Sequence, residues 1–337
     1  MMFPLITVGI VVLNRDWIIE RMLASLHSQT YPHNKIFVLM VDGGSTDRTV
    51  DIAKKFLENS DFYGYKIIVE KCSIPEGRNL CIKNMKGDFL LFWDSDVLME
   101  PEAMRLFIET MRKEKADIVT ANAHFIFVSR TDEIESKIDI SRTCFTDSCI
   151  LEVPNCGMGH TLISKKVFDA VQFDPDLTIA EDLDFSVKSR MRGFKIIMDK
   201  RIRVFDVNVI KKDYSDIHID MPLKNAVRGI RKKAKAHVLA YSFKINLKGM
   251  LKFFLKNKRY IFYLGYAPMA FLSALGIFYH SLYLSITLPV YLLAFLALQI
   301  KKRGLRKGLN STLRSLLVGF PFSLCLAYYF IKETMHR

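Results

Sequence analysis

Acidic residues are absent from the last third of this sequence. Between Met221 and Lys332 there is no aspartate or glutamate, although the segment contains 19 lysines and arginines. The whole chain of 337 residues has a formal charge of +14, so the remaining residues together carry −5. The basic residues alternate with long apolar runs, a pattern typical of contact with anionic lipids. We therefore expect anionic membrane lipids as partners and no nucleic acid.

Cysteine is also sparse, with six residues and no CxxC pair. This excludes a disulfide scaffold and leaves a cysteine-only metal site within 144–156 as an unfavoured alternative, because zinc-type spacing is missing. The apolar start, PLITVGIVVLN, lacks a basic region before it and a small-residue cleavage site after it. We therefore expect a buried strand there rather than a secretory signal, and reduced thiols in the cytoplasm.

Strand-like apolar runs alternate with amphipathic segments in the first hundred residues. The runs cover 6–14, 35–42, 65–71 and the stretch DFLLFWD that ends at Asp94. This alternation predicts βαβ units, hence an α/β fold with a mostly parallel sheet and helices on both faces. Because ligands gather at the carboxyl ends of such strands, the polar residues at those ends, Asn14, Asp42 and Asp94, are expected to share a site.

Three acidic motifs suggest chemistry. Asp42 ends a strand before the turn GGSTD, where its carboxylate could accept hydrogen bonds from a nucleobase or ribose. Asp94 and Asp96 offer oxygen ligands of the kind that Mg²⁺ or Mn²⁺ prefers when it also holds a diphosphate. In AEDLDF, Glu181, Asp182 and Asp184 begin a helix, and three carboxylates in four residues exceed what the helix dipole needs, so one of them could act as a general base.

In this order the motifs resemble those of the family-two inverting glycosyltransferases with the GT-A fold. The likeness covers residues 5–218 and rests on TVGIVVLNR, SLHSQTYP, VDGGSTDRT, GRN, GDFLLFWDSD, CGMGHTLISKKVFDAVQFD and AEDLDFSVKSRMRGF. The resemblance implies an enzyme, a hexosyltransferase, that uses a nucleoside-diphosphate sugar and Mn²⁺ or Mg²⁺. The site residues that it implies are Asn14, Asp42, Arg78 and Asp94 for the nucleotide, Asp94, Asp96 and His218 for the metal, and Asp182 with Glu181 for catalysis.

Three further positions bear on this resemblance. Gly43 stands where the family commonly has a second acid, and we expect little loss from that. His218 could complete the metal shell or be an ordinary surface histidine, and His160 could be structural or lie on the acceptor side. Both alternatives stay open for each histidine.

The C-terminal third predicts membrane attachment. Basic amphipathic helices over 221–259 are typical of a membrane interface, although helices packed on a soluble domain with a solvated lysine face would give the same pattern. Three apolar runs follow, at 260–279, 282–300 and 315–331, and they predict about three transmembrane helices. The basic connections place a catalytic domain of residues 1–220 in the cytoplasm of a multi-pass membrane protein.

Membrane attachment favours a lipid-linked acceptor, either a hydroxyl of a lipid-carried saccharide or glycolipid, or a polyprenyl (dolichyl) phosphate. The intact Glu181-Asp182 pair favours the hydroxyl, because an anionic phosphate needs no base. A processive polysaccharide synthase is disfavoured because NAVRGIRKKAKAH lacks the glutamine and tryptophan of the QxxRW signature. An inactive binding module would not need the base, and a dinucleotide-dependent oxidoreductase is excluded because no G-x-G-x-x-G follows the first strand.

Overall fold

The computed structural model describes residues 3–142, 149–175, 177, 181–209, 268–275, 277–303 and 305. The chain divides into two compact units, Met1–Lys212 and Asp213–Arg337. The first unit contains the sheet and all seven motifs on which the family resemblance rests. His218 and the amphipathic segment 221–259 lie outside the described residues.

The first unit alternates strands and helices in the predicted way. Its strands are β1 Ile6–Val12, β2 Ile36–Asp42, β3 Gly64–Val69, β4 Phe89–Trp93, β5 Val97–Met99, β6 Ile118–Val128, β7 Ile150–Glu152, β8 His160–Ser164 and β9 Ile196–Val209. Its helices are α1 Ile19–His27, α2 Thr49–Glu58, α3 Ile74–Asn84, α4 Ala103–Lys113, α5 Ile134–Arg142, α6 Lys165–Phe168 and α7 Glu181–Met191, with 3₁₀ turns at His33–Lys35 and Thr131–Glu133.

Within the described residues the nine strands form one sheet in the order β3-β2-β1-β4-β8-β6-β9-β5, and β7 pairs with β9. The half from β3 to β4 is parallel throughout. Antiparallel strands enter beyond β4, where β8 runs against both β4 and β6, and β5 and β7 run against β9. The prediction of an α/β fold with a mostly parallel sheet is confirmed.

Helices cover both faces of the sheet, as predicted. Strand β2 is buried along its whole length because alternate residues point to opposite faces. Val38 and Met40 pack in the cluster that contains residues of α1, α2 and α4, whereas Leu39 and Val41 pack in the cluster that contains residues of α3, α6 and α7. The strands therefore read as continuous apolar runs and direct their polar ends toward one edge.

Helix α3 begins at Ile74 with a defined N-terminal cap. Ser73 and Glu76 form a capping box, in which the Ser73 backbone N–H donates to Glu76 Oε2 over 2.7 Å. Pro75 lies in the first turn, where its missing N–H costs no hydrogen bond. This start places Arg78 inside the helix, on its buried side.

The second unit is helical where it is described, with helices at Leu282–Ser285 and Thr287–Arg303 and at residues 268–275. Neither these nor any other helix of the described residues is both long enough and apolar enough to cross a membrane. The structure thus gives no support to the predicted spans 260–279 and 282–300 where it describes them. The predicted span 315–331 lies outside the described residues.

The turn before β4 requires glycine. Gly87 has a φ of +76°, and a Cβ atom there would overlap the carbonyl oxygen of Leu5. We expect Gly87→Ala to lower the free energy of unfolding by about 2–4 kcal/mol, because backbone strain and overlap add. Gly193→Ala is the matched control, since its φ is +84° but no atom lies within 4 Å.

The control should cost only about 1–2 kcal/mol, the strain of the left-handed backbone alone. Chemical denaturation of the full chain measures both values. Equal losses in the two variants would contradict the overlap with Leu5.

Candidate active site

Three strand ends meet at one edge of the sheet. Strands β2 and β4 flank β1 and run parallel to it, with Val12 opposite Asp42 and Gly9 opposite Phe92. Asn14, Asp42 and Asp94 follow or end these strands and therefore lie at the same carboxyl edge. The structure brings these predicted site residues together.

Asp42 organises its own turn. Its side chain is fully buried, and Oδ2 accepts hydrogen bonds from the backbone N–H groups of Gly44 (3.0 Å) and Ser45 (2.8 Å). The Ser45 hydroxyl donates to the other carboxylate oxygen. Asp42 thus stabilises the turn that follows it. A nucleotide contact would use the acceptor capacity that remains on this carboxylate.

Asn14 joins the first turn to the second. Its φ of +52° is a left-handed conformation, which asparagine tolerates better than most residues. The Thr46 N–H donates to Asn14 Oδ1 over 2.9 Å, and the Asn14 N–H donates to Ser45 Oγ over 2.8 Å. Hydrogen bonds therefore join the loops after β1 and β2 at this edge of the sheet.

Arg78 contacts both the end of β4, at Asp94, and the AEDLDF motif, at Glu181. Its guanidinium lies 2.7 Å from Glu181 Oε1 through Nη1 and 3.6 Å from Asp94 Oδ1 through Nη2. The side chain is only 6% exposed, and it packs within 6 Å of the ring centres of Phe92 and Phe173. Arg78 thereby holds the start of α7 against the end of β4.

Glu181 and Asp182, the first two acids of AEDLDF, differ in their contacts, because Arg78 pairs with Glu181. Glu181 is paired with the guanidinium and is nearly buried, with 13% of its side chain exposed. Asp182 accepts a hydrogen bond from the Leu183 N–H over 2.7 Å, while burial and the neighbouring Glu181 charge raise its pKa. A carboxylate with a raised pKa is a better proton acceptor than an ordinary aspartate, so Asp182 rather than Glu181 has the properties of a base.

A third carboxylate, Asp206 on β9, lies beside Asp94 and Asp96. Val97 is opposite Asp206 in the antiparallel β5–β9 pair, and the Val207 N–H donates to the Asp96 carbonyl over 2.9 Å. Burial, with Asp96 as the next cause, raises the pKa of Asp206 to about 6. Burial and Asp94 likewise raise the pKa of Asp96.

Arg15 is the basic residue at this acidic cluster. Its Nη2 lies 3.3 Å from Asp96 Oδ2, and its Nε is buried without a hydrogen-bond partner in the described residues. Sequence reasoning missed both Arg15 and Asp206. Arg15 directly follows Asn14 at a strand end, and Asp206 stands where the alternation of Ile202 and Val204 along β9 predicts a buried apolar residue, so both signals were present in the sequence.

Three carboxylates of this cluster are candidate ligands for a hard divalent cation, and their oxygens do not all lie within 4.8 Å of one another. Asp94, Asp96 and Asp206 supply carboxylate oxygens from adjoining backbone segments, and Mg²⁺ and Mn²⁺ prefer such ligands. Burial raises the pKa values of Asp96 and Asp206, and the like charges of the neighbouring carboxylates raise them further. A bound cation would relieve that repulsion. The predicted metal ligand His218 lies outside the described residues.

His160 lies opposite Trp93 in the β4–β8 pair, next to the acidic cluster. Burial lowers its pKa to about 4, although the Asp94 charge opposes that change. The imidazole is therefore neutral near pH 7 and adds no positive charge beside Asp94.

Residues 7–171 match the sequence model of the family described as "Glycosyl transferase family 2". These residues therefore form a family-two glycosyltransferase domain, and the predicted recognition of that family is confirmed for this part of the chain. The match spans the turns at Asn14 and Asp42, Arg78 and the Asp94–Asp96 pair, and ends before Asp182.

Two curated relatives are similar over this domain. The dolichyl N-acetyl-alpha-D-glucosaminyl phosphate 3-beta-D-2,3-diacetamido-2,3-dideoxy-beta-D-glucuronosyltransferase of Methanococcus voltae is 24% identical over 208 residues, which cover 58% of this chain and 65% of the relative. Glycosyltransferase AglE of Haloferax volcanii is 32% identical over 124 residues, which cover 37% of this chain and 41% of AglE. The similarity thus spans less than two thirds of either relative.

A solved structure shares the fold. The mannosyltransferase PcManGT from Pyrobaculum calidifontis, in complex with GDP-Man and Mn²⁺, superposes with a TM-score of 0.56 at 16% identity. The superposition covers 99% of this chain and 87% of that one. It supports the GT-A fold that the sequence resemblance implies.

The turn before β8 approaches the Asp94 carboxylate closely. A Cβ atom on Gly159 would overlap Asp94 Oδ2, so Gly159→Ala must displace that carboxylate or the backbone. We expect the variant to bind Mn²⁺ at least about tenfold more weakly, because one ligand loses its position. Titration of the purified chain with Mn²⁺ by calorimetry measures the change.

Gly157→Ala serves as the control in the same loop, since its new Cβ would meet only His160 Cε1 at 3.3 Å. It should retain Mn²⁺ binding within about threefold, less than the effect of disturbing a supporting group. Equal affinity in the two variants would show that Asp94 does not hold the cation.

Proposed function

We propose that this chain transfers a sugar, with inversion, from a nucleoside-diphosphate sugar to a membrane lipid-linked acceptor. The observation that carries the proposal is the Arg78 bridge between Asp94 and Glu181. It places the acidic cluster suited to a metal and diphosphate beside the helix that presents Asp182. Donor and acceptor chemistry can therefore occur in one site.

The donor would bind at the loops of the parallel half of the sheet. Asn14, Asp42 and Arg78 are the nucleotide contacts that we propose, with Asp94 between nucleotide and metal. The buried Nε groups of Arg15 and Arg78 have no hydrogen-bond partner within the described residues, and an oxyanion is a natural acceptor for such donors. The structural relative with GDP-Man bound supports a sugar-nucleotide donor.

Asp94, Asp96 and Asp206 are the residues that would hold Mn²⁺ or Mg²⁺. When bound, the cation supplies charge neutralisation for the departing nucleoside diphosphate. Asp206 is an addition to the metal ligands expected from the sequence, and His218 keeps its proposed place as a further ligand. Mn²⁺ is present in the related mannosyltransferase complex, which supports a divalent metal for this chain.

Asp182 would act as the general base. An acceptor hydroxyl gives its proton to the Asp182 carboxylate as its oxygen forms a bond to the anomeric carbon. The bond from that carbon to the diphosphate oxygen breaks on the opposite face, and its electron pair leaves with the nucleoside diphosphate. This single displacement inverts the configuration. Glu181 positions Asp182 through its contact with Arg78 and raises the Asp182 pKa.

A lipid-linked acceptor is supported by the name of the Methanococcus voltae relative, which specifies a dolichyl-linked sugar phosphate. Large apolar side chains are exposed in the second unit, among them Ile277, Phe278, Tyr279, Leu282 and Tyr283. Exposed apolar surface of this kind is typical of contact with lipid or protein. We keep as proposals the interfacial helices over 221–259, the multi-pass membrane domain over 260–337 and the cytoplasmic position of residues 1–220.

Substitution of the two neighbouring acids tests the base. We expect Asp182→Asn to lower kcat by about 10²–10⁴-fold while donor binding is retained, because the amide cannot accept the proton. Glu181→Gln is the matched control and should reduce kcat less, since it removes a positioning contact only. The assay supplies radiolabelled GDP- and UDP-sugars with polyprenyl-linked monosaccharides and, separately, with polyprenyl phosphates.

The pH profile gives an independent readout for Asp182. The base must be ionised, and its pKa is raised, so turnover should fall as pH decreases through a value above that of an ordinary aspartate. Full turnover by Asp182→Asn with a polyprenyl phosphate would favour the alternative acceptor. Donor binding without turnover of any acceptor would favour the inactive binding module.

Thermal stability identifies the donor nucleotide. Ligands that bind only the folded state raise Tm, so the correct nucleoside diphosphate at about 100 times its Kd should stabilise the chain by about 2.7 kcal/mol. We expect this increase for GDP or UDP in the presence of Mn²⁺ or Mg²⁺ and its loss in Asp94→Asn. No shift with any nucleotide and metal would contradict the donor site.

A further inference from the structure

We propose that His27, His33 and Asp61 form a second metal site, suited to Zn²⁺, at the edge of the sheet opposite the candidate active site. His27 ends α1, His33 lies in the 3₁₀ turn before β2, and Asp61 lies between α2 and β3. Strand β2 separates this cluster from Asp42, and its seven residues span roughly 20 Å. The cluster therefore belongs to a different site from Asp94 and Asp96.

The three side chains already converge on one point. Asp61 Oδ1 lies 3.1 Å from His27 Nε2 and 2.6 Å from His33 Nδ1. One ligand atom from each residue lies within 4.8 Å of the other two. Metal ligands about 2.0–2.2 Å from a tetrahedral Zn²⁺ stand roughly 3.3 Å apart. Asp61 Oδ1 would have to withdraw from His33 Nδ1 to admit the ion, and the Asp61 side chain is 71% exposed.

The chemistry of the ligands selects the metal. Two imidazole nitrogens and one carboxylate oxygen are a set that binds Zn²⁺ and leaves a fourth position for water. Mg²⁺ prefers oxygen ligands and would favour the carboxylates of the candidate active site instead.

Aromatic packing fixes the orientation of the two imidazoles. The Phe62 ring centre lies 5.6 Å from that of His27 and 5.3 Å from that of His33, and Phe56 packs edge-on to His27 at 6.1 Å. The two imidazole centres are 4.7 Å apart. Rings held in this way lose little further freedom when a metal binds, which favours affinity.

Solvent reaches the site from one side. His27 lines an open pocket of about 440 Å³ together with Glu20, Lys55, Phe56, Asn59 and others. Such a pocket admits the hydrated ion and leaves room for a water ligand. A bound Zn²⁺ would join the α1–β2 and α2–β3 connections, so its expected effect is to stabilise the first unit rather than to take part in sugar transfer.

Zinc titration of the full chain, purified without a histidine tag, tests the site. The parent protein carries Asp94→Asn and Asp96→Asn, which removes competing carboxylates from the candidate active site. We expect one Zn²⁺ per chain by calorimetry and a rise in Tm of about 5 °C at 100 times the Kd. Substitution by Co²⁺ should give the intense visible absorption of a four-coordinate site.

Matched histidine substitutions identify the ligands. His27→Asn and His33→Asn should each weaken Zn²⁺ binding at least about tenfold and abolish the Tm rise, because an amide oxygen is a poor ligand for Zn²⁺. His280→Asn is the control, since His280 is exposed in the second unit and its φ of +53° suits asparagine. It should bind Zn²⁺ as the parent does.

Two results would overturn the proposal: unchanged Zn²⁺ affinity in both His27→Asn and His33→Asn, or a Co²⁺ spectrum typical of six oxygen ligands. The Tm of each variant in EDTA separates loss of the site from loss of the fold. If the two variants unfold in EDTA at the parent's temperature and yet bind Zn²⁺ equally well, the cluster is a hydrogen-bonded surface group and not a metal site.

Discussion

The ion pair between Arg78 and Glu181, extended by the longer contact to Asp94, is the interaction on which the candidate site depends. A buried guanidinium is costly to desolvate. It is tolerated here because Glu181 accepts a hydrogen bond from it, the Asp94 carboxylate lies 3.6 Å away and two phenyl rings face it. Removing one partner of such a pair typically costs about 3–5 kcal/mol, since the other charge remains buried. The start of α7 is therefore tied to the end of β4.

Sequence reasoning located most of this site because the parallel half of the sheet obeys a simple rule. Strand ends that follow apolar runs must meet at one edge, so Asn14, Asp42 and Asp94 were predictable from periodicity alone. Arg78 and Asp182 were predicted from the family resemblance. Glu181 connects them in the structure, because it pairs with Arg78 and directly precedes Asp182 in the chain. Their roles in nucleotide binding and catalysis are proposals that the fold accommodates.

What the sequence could not provide depends on pairing between distant segments. Asp206 reaches Asp96 only because β9 runs antiparallel to β5, and no local pattern specifies that partner over a separation of a hundred residues. From the sequence, the Asp42 carboxylate was expected to accept hydrogen bonds from a ligand. In the structure it accepts hydrogen bonds from the backbone of the turn that follows it. The cluster of His27, His33 and Asp61 was missed for the same reason, because its members lie on a helix end, a 3₁₀ turn and a loop and match no metal-binding spacing.

The charges at the sheet edge explain why a diphosphate would need a cation there. Asp94, Asp96 and Asp206 lie together, and Arg15 offsets one of their charges while Arg78 is already shared with Glu181. A nucleoside diphosphate brings further negative charge and would be repelled by this edge alone. Asp94, Asp96 and Asp206 would hold a divalent cation, and the cation would supply the positive charge that a diphosphate needs at this edge. Metal and donor are thus expected to bind in a mutually dependent way, each more tightly in the presence of the other.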